Sequence, residues 1–218
     1  MSTEDGNRLQ VASFILGPVA TNAYLVADPV SRQAAVIDPG WDGERLVAEL
    51  RMRAWQPRAI WLTHAHFDHF GGSAPIAAAF NIPVGLHPED RPLWGFQGGA
   101  ALFGFGQFDP GPEPTIDLIH GMTLQLGSHQ LEVRHTPGHS PGHVIFVARD
   151  SQMVFCGDLI FQMGVGRTDL PGGDWETLLR SIRSEIFSLP DETILYSGHG
   201  AATSVGEERR GNPFVADG

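Results

Sequence analysis

Residues 63–69 read Thr63-His64-Ala65-His66-Phe67-Asp68-His69, so four groups able to ligate a metal fall within six residues. Imidazole nitrogen together with carboxylate oxygen suits zinc, iron or manganese. Without a cation, such a cluster would bury unpaired polar groups at a real cost. Three further segments carry the same side-chain types: Thr136-Pro137-Gly138-His139, Cys156-Gly157-Asp158 and Ser197-Gly198-His199-Gly200. Each sets one ligand type beside a glycine, directly after an apolar run. Glycine lets the backbone turn sharply there, so a short side chain can reach inward from a strand end. The candidate metal ligands are His64, His66, Asp68, His69, His139, Asp158 and His199.

The elements that must position these groups are short. Apolar runs at 9–16, 23–27, 34–38, 59–63, 82–86, 122–126, 130–135, 143–148, 152–156 and 193–196 read as strands. After the strand at 59–63, His64 and His66 project to one side by the period of two. Asp68 and His69 then reach the same space as the chain turns into a helix. Residues 43–54 carry Leu46, Val47, Leu50 and Ala54 at helical spacing, with Asp42 as candidate N-cap. Residues 73–80 are Ala-rich and read as helix. The clearest helix spans 174–189: Asp174 is its candidate N-cap, and Trp175, Leu178, Leu179, Ile182 and Ile186 share one face. Residues 88–114 are irregular and hold Trp94, Phe96, Phe103, Phe105 and Phe108. Two readings stand open for them, a loop whose aromatics dock on the core or a flap over a pocket.

Composition narrows the chemistry. All 14 basic residues of the 218 are arginine, against 25 acidic residues, for a net charge of −11. No lysine means no Schiff-base lysine and no P-loop. One cysteine, Cys156, permits no internal disulfide and no Cys-rich metal site. It lies two residues before Asp158, and a buried core thiol is its plainest reading. An acidic chain without a basic run is a poor partner for nucleic acid or an anionic membrane. No stretch approaches the roughly 18 apolar residues of a membrane span. Met1–Asn7 are polar and acidic, unlike a signal peptide, which sets the expectation of a soluble cytoplasmic protein. A hydrophobic share of 42% suits one large domain with a real core, here 9–214.

From about residue 9 to Phe214 the chain resembles the metallo-β-lactamase-fold hydrolases, and within them the short glyoxalase II-type enzymes (hydroxyacylglutathione hydrolase-like). The resemblance rests on Ile37-Asp38-Pro39-Gly40, the His64–His69 motif, His139, Asp158, Gly164-Val165-Gly166-Arg167-Thr168-Asp169, His199 and Asn212-Pro213-Phe214. It implies an α/β (α+β) αββα sandwich, two mixed sheets face to face with helices on the outer faces. It also implies two divalent metal ions, zinc foremost, with iron or manganese as alternatives. His64, His66 and His139 would hold one metal; Asp68, His69 and His199 would hold the other; Asp158 would bridge them. Asp38 has two readings, a support that orients the ligand loop or a plain Asp-Pro-Gly turn. Thr63 has a similar supporting reading. His143 reads as a satisfied structural histidine, and nothing forces a role on His135.

The implied reaction is hydrolysis of a small-molecule thioester of the S-D-lactoylglutathione type. Two metals about 3.5–4 Å apart acidify a bridging water, and the resulting hydroxide attacks the carbonyl. Asp68 and Asp158 are the carboxylates placed in that chemistry. A thiolate leaves with little acid assistance, because thiols have a pKa of about 8.5. Arg167 matches the position of a basic substrate contact that follows the Gly-x-Gly turn in larger glyoxalase II enzymes. Its other reading is a salt bridge to Asp169 or Asp174. Larger relatives add a C-terminal helical domain with basic glutathione contacts, whereas this chain ends four residues past Phe214. Thr168-Asp169 also stands where they carry aromatic residues. These differences imply a more open pocket, with 88–114 as its cover. The alternatives are a mononuclear-iron persulfide dioxygenase, whose Gly-Arg-Thr-Asp stretch is similar, and a lactonase or β-lactamase-like hydrolase. The sequence leaves the oligomeric state undetermined.

Overall fold

Period-two alternation sorts the apolar residues of this chain into layers. A computed structural model describes residues 8–215. The reading of Met1–Asn7 lies outside them. The first sheet holds β1 (Gln10–Leu16), β2 (Thr21–Ala27), β3 (Gln33–Ile37), β4 (Gln56–Trp61), β5 (Val84–Leu86) and β6 (Ile116–Asp117), in that order. Its first three strands run antiparallel and β3 to β6 run parallel. The chain then lays down β7 (Thr123–Leu126), β8 (His129–His135), β9 (Val144–Ala148) and β10 (Met153–Gly157). A small ribbon follows, β11 (Ile160–Phe161) with β12 (Gly164–Val165). Strands β13 (Ile194–Ser197) and β14 (Thr203–Ser204) complete a second mixed sheet of order β14-β13-β10-β9-β8-β7. In it only β10 and β13 pair in parallel.

Both faces of the central strands are covered. On β2, Ala23, Leu25 and Ala27 face the layer of α1 (Gly43–Met52) and α3 (Ser73–Phe80), which supplies Leu46, Leu50 and Ile76. The alternate residues Tyr24 and Val26 face the second sheet. On β9, Val144 and Phe146 point between the sheets. Ile145 and Val147 point outward to Leu178, Ile182 and Ile186, on and just beyond α5 (Trp175–Ser181). These three apolar layers are the interiors of the αββα sandwich. Full burial of each large side chain contributes about 1.5–3 kcal/mol. Among the described residues no helix is long and apolar enough to cross a membrane.

Several elements differ from the sequence reading for local reasons. Asp42 is not a side-chain cap of α1: it sits in the left-handed region at φ 51°, and its side chain makes no capping hydrogen bond. Its carbonyl instead accepts the Arg45 N–H at 2.9 Å. The strand read at 59–63 is β4, which leaves the ladder after Trp61 and so frees the next residues to turn into the site. Asp174 does cap α5, accepting the Thr177 N–H at 2.8 Å. Trp175 lies off the buried face, and the helix finishes as a π-turn at Ile182–Ile186.

Residues 88–114 contain α4 (Arg91–Gly95) and 3-10 turns at Pro88–Asp90 and Gln97–Phe103. Trp94 stacks on Phe70 at 4.4 Å, and Phe105 lies 4.9 Å from Phe67. Phe108 lies 5.5 Å from Trp41. These aromatics dock on the core. Phe103 also lines the cavity above the candidate ligands.

Candidate metal centre

The candidate ligands sit where strands of both sheets end at one rim of the sandwich. His64 and His66 follow β4, and Asp68 and His69 lie on the one-turn helix α2 (Phe67–Phe70). His139 follows β8, Asp158 follows β10 and His199 follows β13. The approach is close enough to require glycine. A Cβ on Gly198 would run into Asp158 Oδ1 and His69 Cε1. Gly157 turns at φ 46°, and a Cβ there would strike the Thr63 hydroxyl.

Three ring nitrogens converge first. His66 Nδ1 lies 2.8 Å from His139 Nε2, which lies 3.2 Å from His64 Nε2. The tautomers of His139 and His64 follow from what their other nitrogens touch. His139 Nδ1 donates to the Arg167 carbonyl at 2.8 Å, leaving Nε2 a lone pair. The Thr63 hydroxyl donates to Asp38 Oδ2 at 2.6 Å, so it accepts from His64 Nδ1 at 3.0 Å. His64 Nε2 is then also a lone pair. Burial, reinforced by the neighbouring histidines, pushes His64 well below the ordinary imidazole pKa and His66 down to about 3. Burial likewise lowers His139. The lone pairs of His64 Nε2 and His139 Nε2, 3.2 Å apart, repel unless a cation lies between them.

The second group is charged differently. His69 Nε2 lies 3.5 Å from Asp68 Oδ2 and 3.4 Å from Asp158 Oδ1. His199 Nε2 lies 3.3 Å from Asp68 Oδ2 and 3.5 Å from Asp158 Oδ2. Asp158 Oδ2 also lies 3.6 Å from His139 Nε2, so its carboxylate spans both groups. Burial resists charge on His69, but Asp68 and Asp158 override it and hold the imidazole well above its usual pKa. Burial also works against the Asp158 carboxylate, and His69 outweighs it, holding Asp158 far below the usual carboxylate range. The two carboxylates thus demand positive charge beside them. His69 Nε2 and Asp158 Oδ1 are buried without a hydrogen-bond partner, as expected of atoms meant for a cation. The donor set fits one divalent ion among His64, His66 and His139 and another among Asp68, His69 and His199.

Asp38 acts as a support. Its Oδ1 accepts the Thr63 N–H at 2.8 Å, and its Oδ2 accepts from the Thr63 hydroxyl and, at 3.0 Å, from His69 Nδ1. One buried carboxylate thereby fixes the tautomer of a histidine in each group. Asp68 is held by the Thr21 hydroxyl at 2.8 Å. His143 is fully buried, bonded to Thr136 Oγ1 at 2.9 Å, and its Nε2 accepts the Asp158 N–H at 3.2 Å. His135 donates Nε2 to the Pro141 carbonyl at 2.8 Å and stacks on His87, behind the His139 loop. Burial pushes the Cys156 thiol up to about 12, and its Sγ lies 3.4 Å from the Tyr196 carbonyl. It packs with the helix layer, away from the ligands.

Two supporting carboxylates escaped the sequence reading. Asp90 accepts the Ala65 N–H at 2.9 Å, the Ser140 hydroxyl at 2.8 Å and the Gly142 N–H at 2.6 Å. It ties the His64–His69 segment to the His139 loop. Glu208, fully buried on α6 (Val205–Gly211), accepts from Met163 N at 2.9 Å, Thr203 Oγ1 at 2.6 Å and Asn212 Nδ2 at 2.8 Å. Asn212 also donates to the Gly164 carbonyl at 2.9 Å. The Asn-Pro-Phe motif therefore anchors the β11–β12 ribbon, which leads from Asp158 to the Arg167 carbonyl that orients His139. The one sequence signal was that motif itself.

A cavity of about 170 Å³ opens above the centre, bounded by Val19, Phe67, Phe103, Arg167 and Leu170. His199 is 29% exposed toward solvent. Arg167 reaches the cavity with its guanidinium already forked onto Asp169, Nε to Oδ1 and Nη2 to Oδ2 both at 2.7 Å.

Residues 16–199 match the Metallo-beta-lactamase superfamily domain. The chain is 40% identical over 205 residues to the probable metallo-hydrolase YqgX of Bacillus subtilis (strain 168), covering 92% of this chain and 94% of that protein. It is 36% identical over 196 residues to the hydroxyacylglutathione hydrolase GloC of Haemophilus influenzae, covering 89% and 92%. Among solved structures it is similar to BLEG-1 B3 metallo-beta-lactamase, with TM-score 0.89, 39% identity and coverage of 95% and 100%. It is also similar to TTHA1623 in a di-iron-bound form, with TM-score 0.85, 43% identity and coverage of 94% and 100%. With this fold, this rim of histidines and carboxylates, and relatives matched over nearly their whole length, the chain belongs to the metallo-beta-lactamase superfamily.

Proposed function

We propose that the protein is a binuclear metal-dependent thioester hydrolase acting on S-D-lactoylglutathione or a related hydroxyacyl thioester. The observation that carries this reading is the pair of adjoining ligand groups sharing Asp158. GloC, at 36% identity, supports the thioester class. Zinc is the first expectation for the metal; TTHA1623 in its di-iron form keeps iron open.

When bound, two divalent ions supply an acidified water and Lewis-acid pull on a carbonyl. The chain's own groups do the rest. Through Thr63 and directly, Asp38 engages Nδ1 of His64 and of His69, so that Nε2 of each ring is the nitrogen aimed inward. Thr21 fixes Asp68, and His143 fixes the backbone from which Asp158 projects. Phe67 and Phe103 present apolar surface to the cavity. In the overall reaction the water oxygen bonds to the acyl carbon and the C–S bond breaks. Its electron pair leaves on sulfur, the acid departs as carboxylate, and of the two protons of the water one passes to the thiolate and the other to solvent.

Metal analysis alongside a thioester assay tests this. Two metals per chain with turnover of S-D-lactoylglutathione is the expected result. One iron per chain, oxygen uptake with glutathione persulfide and no thioesterase activity would overturn it. Preferred turnover of a β-lactam would instead favour the activity named for BLEG-1.

A further inference from the structure

We infer that this site selects its substrate by the acyl end and takes small acyl thioesters with little regard to the thiol carrier, with Asp169 setting that indifference. The inference rests on the thioester reading above. It starts from size. Pockets that enclose a whole small-molecule ligand run to about 300–1,000 Å³, and the cavity here is about 170 Å³. That volume admits an acyl group of a few heavy atoms beside the ligand cluster and leaves a tripeptide carrier outside. The apolar part of its wall is supplied by Val19, Phe67, Phe103 and Leu170.

Charge leads to the same conclusion. Glutathione is an anionic carrier, so its recognition needs cations at the mouth. The chain has no lysine. Among the described cavity-lining residues, Arg167 is the cation outside the ligand set. Its fork is filled by Asp169 through two bonds of 2.7 Å, while its guanidinium carbon lies 5.7 Å from the Phe103 ring centre. A substrate carboxylate can take the Nε/Nη2 edge only by displacing Asp169, and at the remaining Nη1 side it meets a cation whose charge Asp169 already offsets. The exchange replaces one carboxylate with another at the same geometry, so it contributes little net affinity. Arg167 is in place for an anion, and Asp169 cancels the advantage.

The experiment compares kcat/KM for S-D-lactoylglutathione with that for S-D-lactoyl-N-acetylcysteamine, an uncharged carrier, on the metal-loaded full chain. For the natural sequence the ratio is expected to lie within about threefold of one. In Asp169→Asn the competing negative charge is gone, and the ratio should rise about fivefold toward glutathione, through KM and not kcat. Asp169→Ser is the second variant and should move the ratio the same way. The rise should shrink in 0.5 M salt, a signature that a reshaped loop would not produce. A glutathione preference above thirtyfold in the natural sequence, or an unmoved ratio in both variants, would overturn this inference alone. Failure to hydrolyse either ester with two metals bound would overturn the thioester reading, and this inference with it.

Discussion

Two buried carboxylates, Asp28 and Asp90, each fasten one sheet to the other, at opposite ends of the sandwich. Asp28 follows β2, whose first residue, Thr21, touches the candidate ligand Asp68 at the far end. Its Oδ1 accepts from Val30 N, Ser31 N and Ser31 Oγ, and its Oδ2 from Ser128 N and Ser128 Oγ, at 2.6–2.9 Å. Asp90 accepts three bonds from loops beside the ligands. The outcomes differ in sign. Burial opposes the Asp28 charge, but the Ser31 and Ser128 donors outweigh it and hold the carboxyl well below its usual range. At Asp90 burial outweighs Ala65, Ser140 and Gly142, and the carboxyl is raised. The far rim has donors in surplus and uses its carboxylate for stability. The ligand rim accepts an unfavourably buried acid because that acid fixes where two loops lie.

The largest effect that would separate the rims is at Asp158. Asp158→Ala should lower thioester turnover by at least about 10³-fold and reduce metal content, because it removes the carboxylate shared by both groups. Unchanged turnover in that variant would exclude the two-metal scheme. Asp90→Asn should come next on the activity side, with metal affinity falling about 10–100-fold as supports of a metal site do. Its measurement is metal competition against a chelator. Asp28→Asn reverses the pattern. It places an amide N–H against donors and should cost about 2–4 kcal/mol in denaturant unfolding. Its kcat should stay within twofold of the natural sequence. If Asp28→Asn weakened metal binding as much as Asp90→Asn, the division between the rims would fail.

The same contrast explains what could be read from the chain alone. The seven candidate ligands were legible because they depend on short-range features: four ligand types clustered after one strand end at 64–69, and a strand end, a glycine and one ligand type in each of the other three segments. Asp38 was half legible, since Asp-Pro-Gly marks a turn but not its partners Thr63 and His69. Asp90 was hidden. Its partners lie 25, 50 and 52 residues away, and Pro-Glu-Asp reads equally well as a plain loop. Helix α6 escaped notice because Val-Gly-Glu-Glu-Arg-Arg-Gly has no apolar stripe; beside Val205 and Gly206 it buries Glu208, satisfied by three donors. The Asp42 cap failed because a left-handed residue cannot aim its side chain at the first helical turn.

The smallest effect is the one in pH. A carboxyl whose pKa is lower folded than unfolded contributes stability that is fully present above its unfolded value, about 3.9. That contribution is lost as pH falls through the interval down to the folded value. Asp28 is such a group, so the metal-free protein should lose stability between about pH 5 and pH 2 partly through this residue. Asp28→Asn has no charge to lose there. Its unfolding free energy should therefore fall less steeply with acid than that of the natural sequence, and the two curves should converge toward pH 2. Parallel curves would mean that Ser31 and Ser128 hold the carboxyl no better than water does. The far rim would then owe its strength to packing, and the contrast with Asp90 would rest on geometry alone.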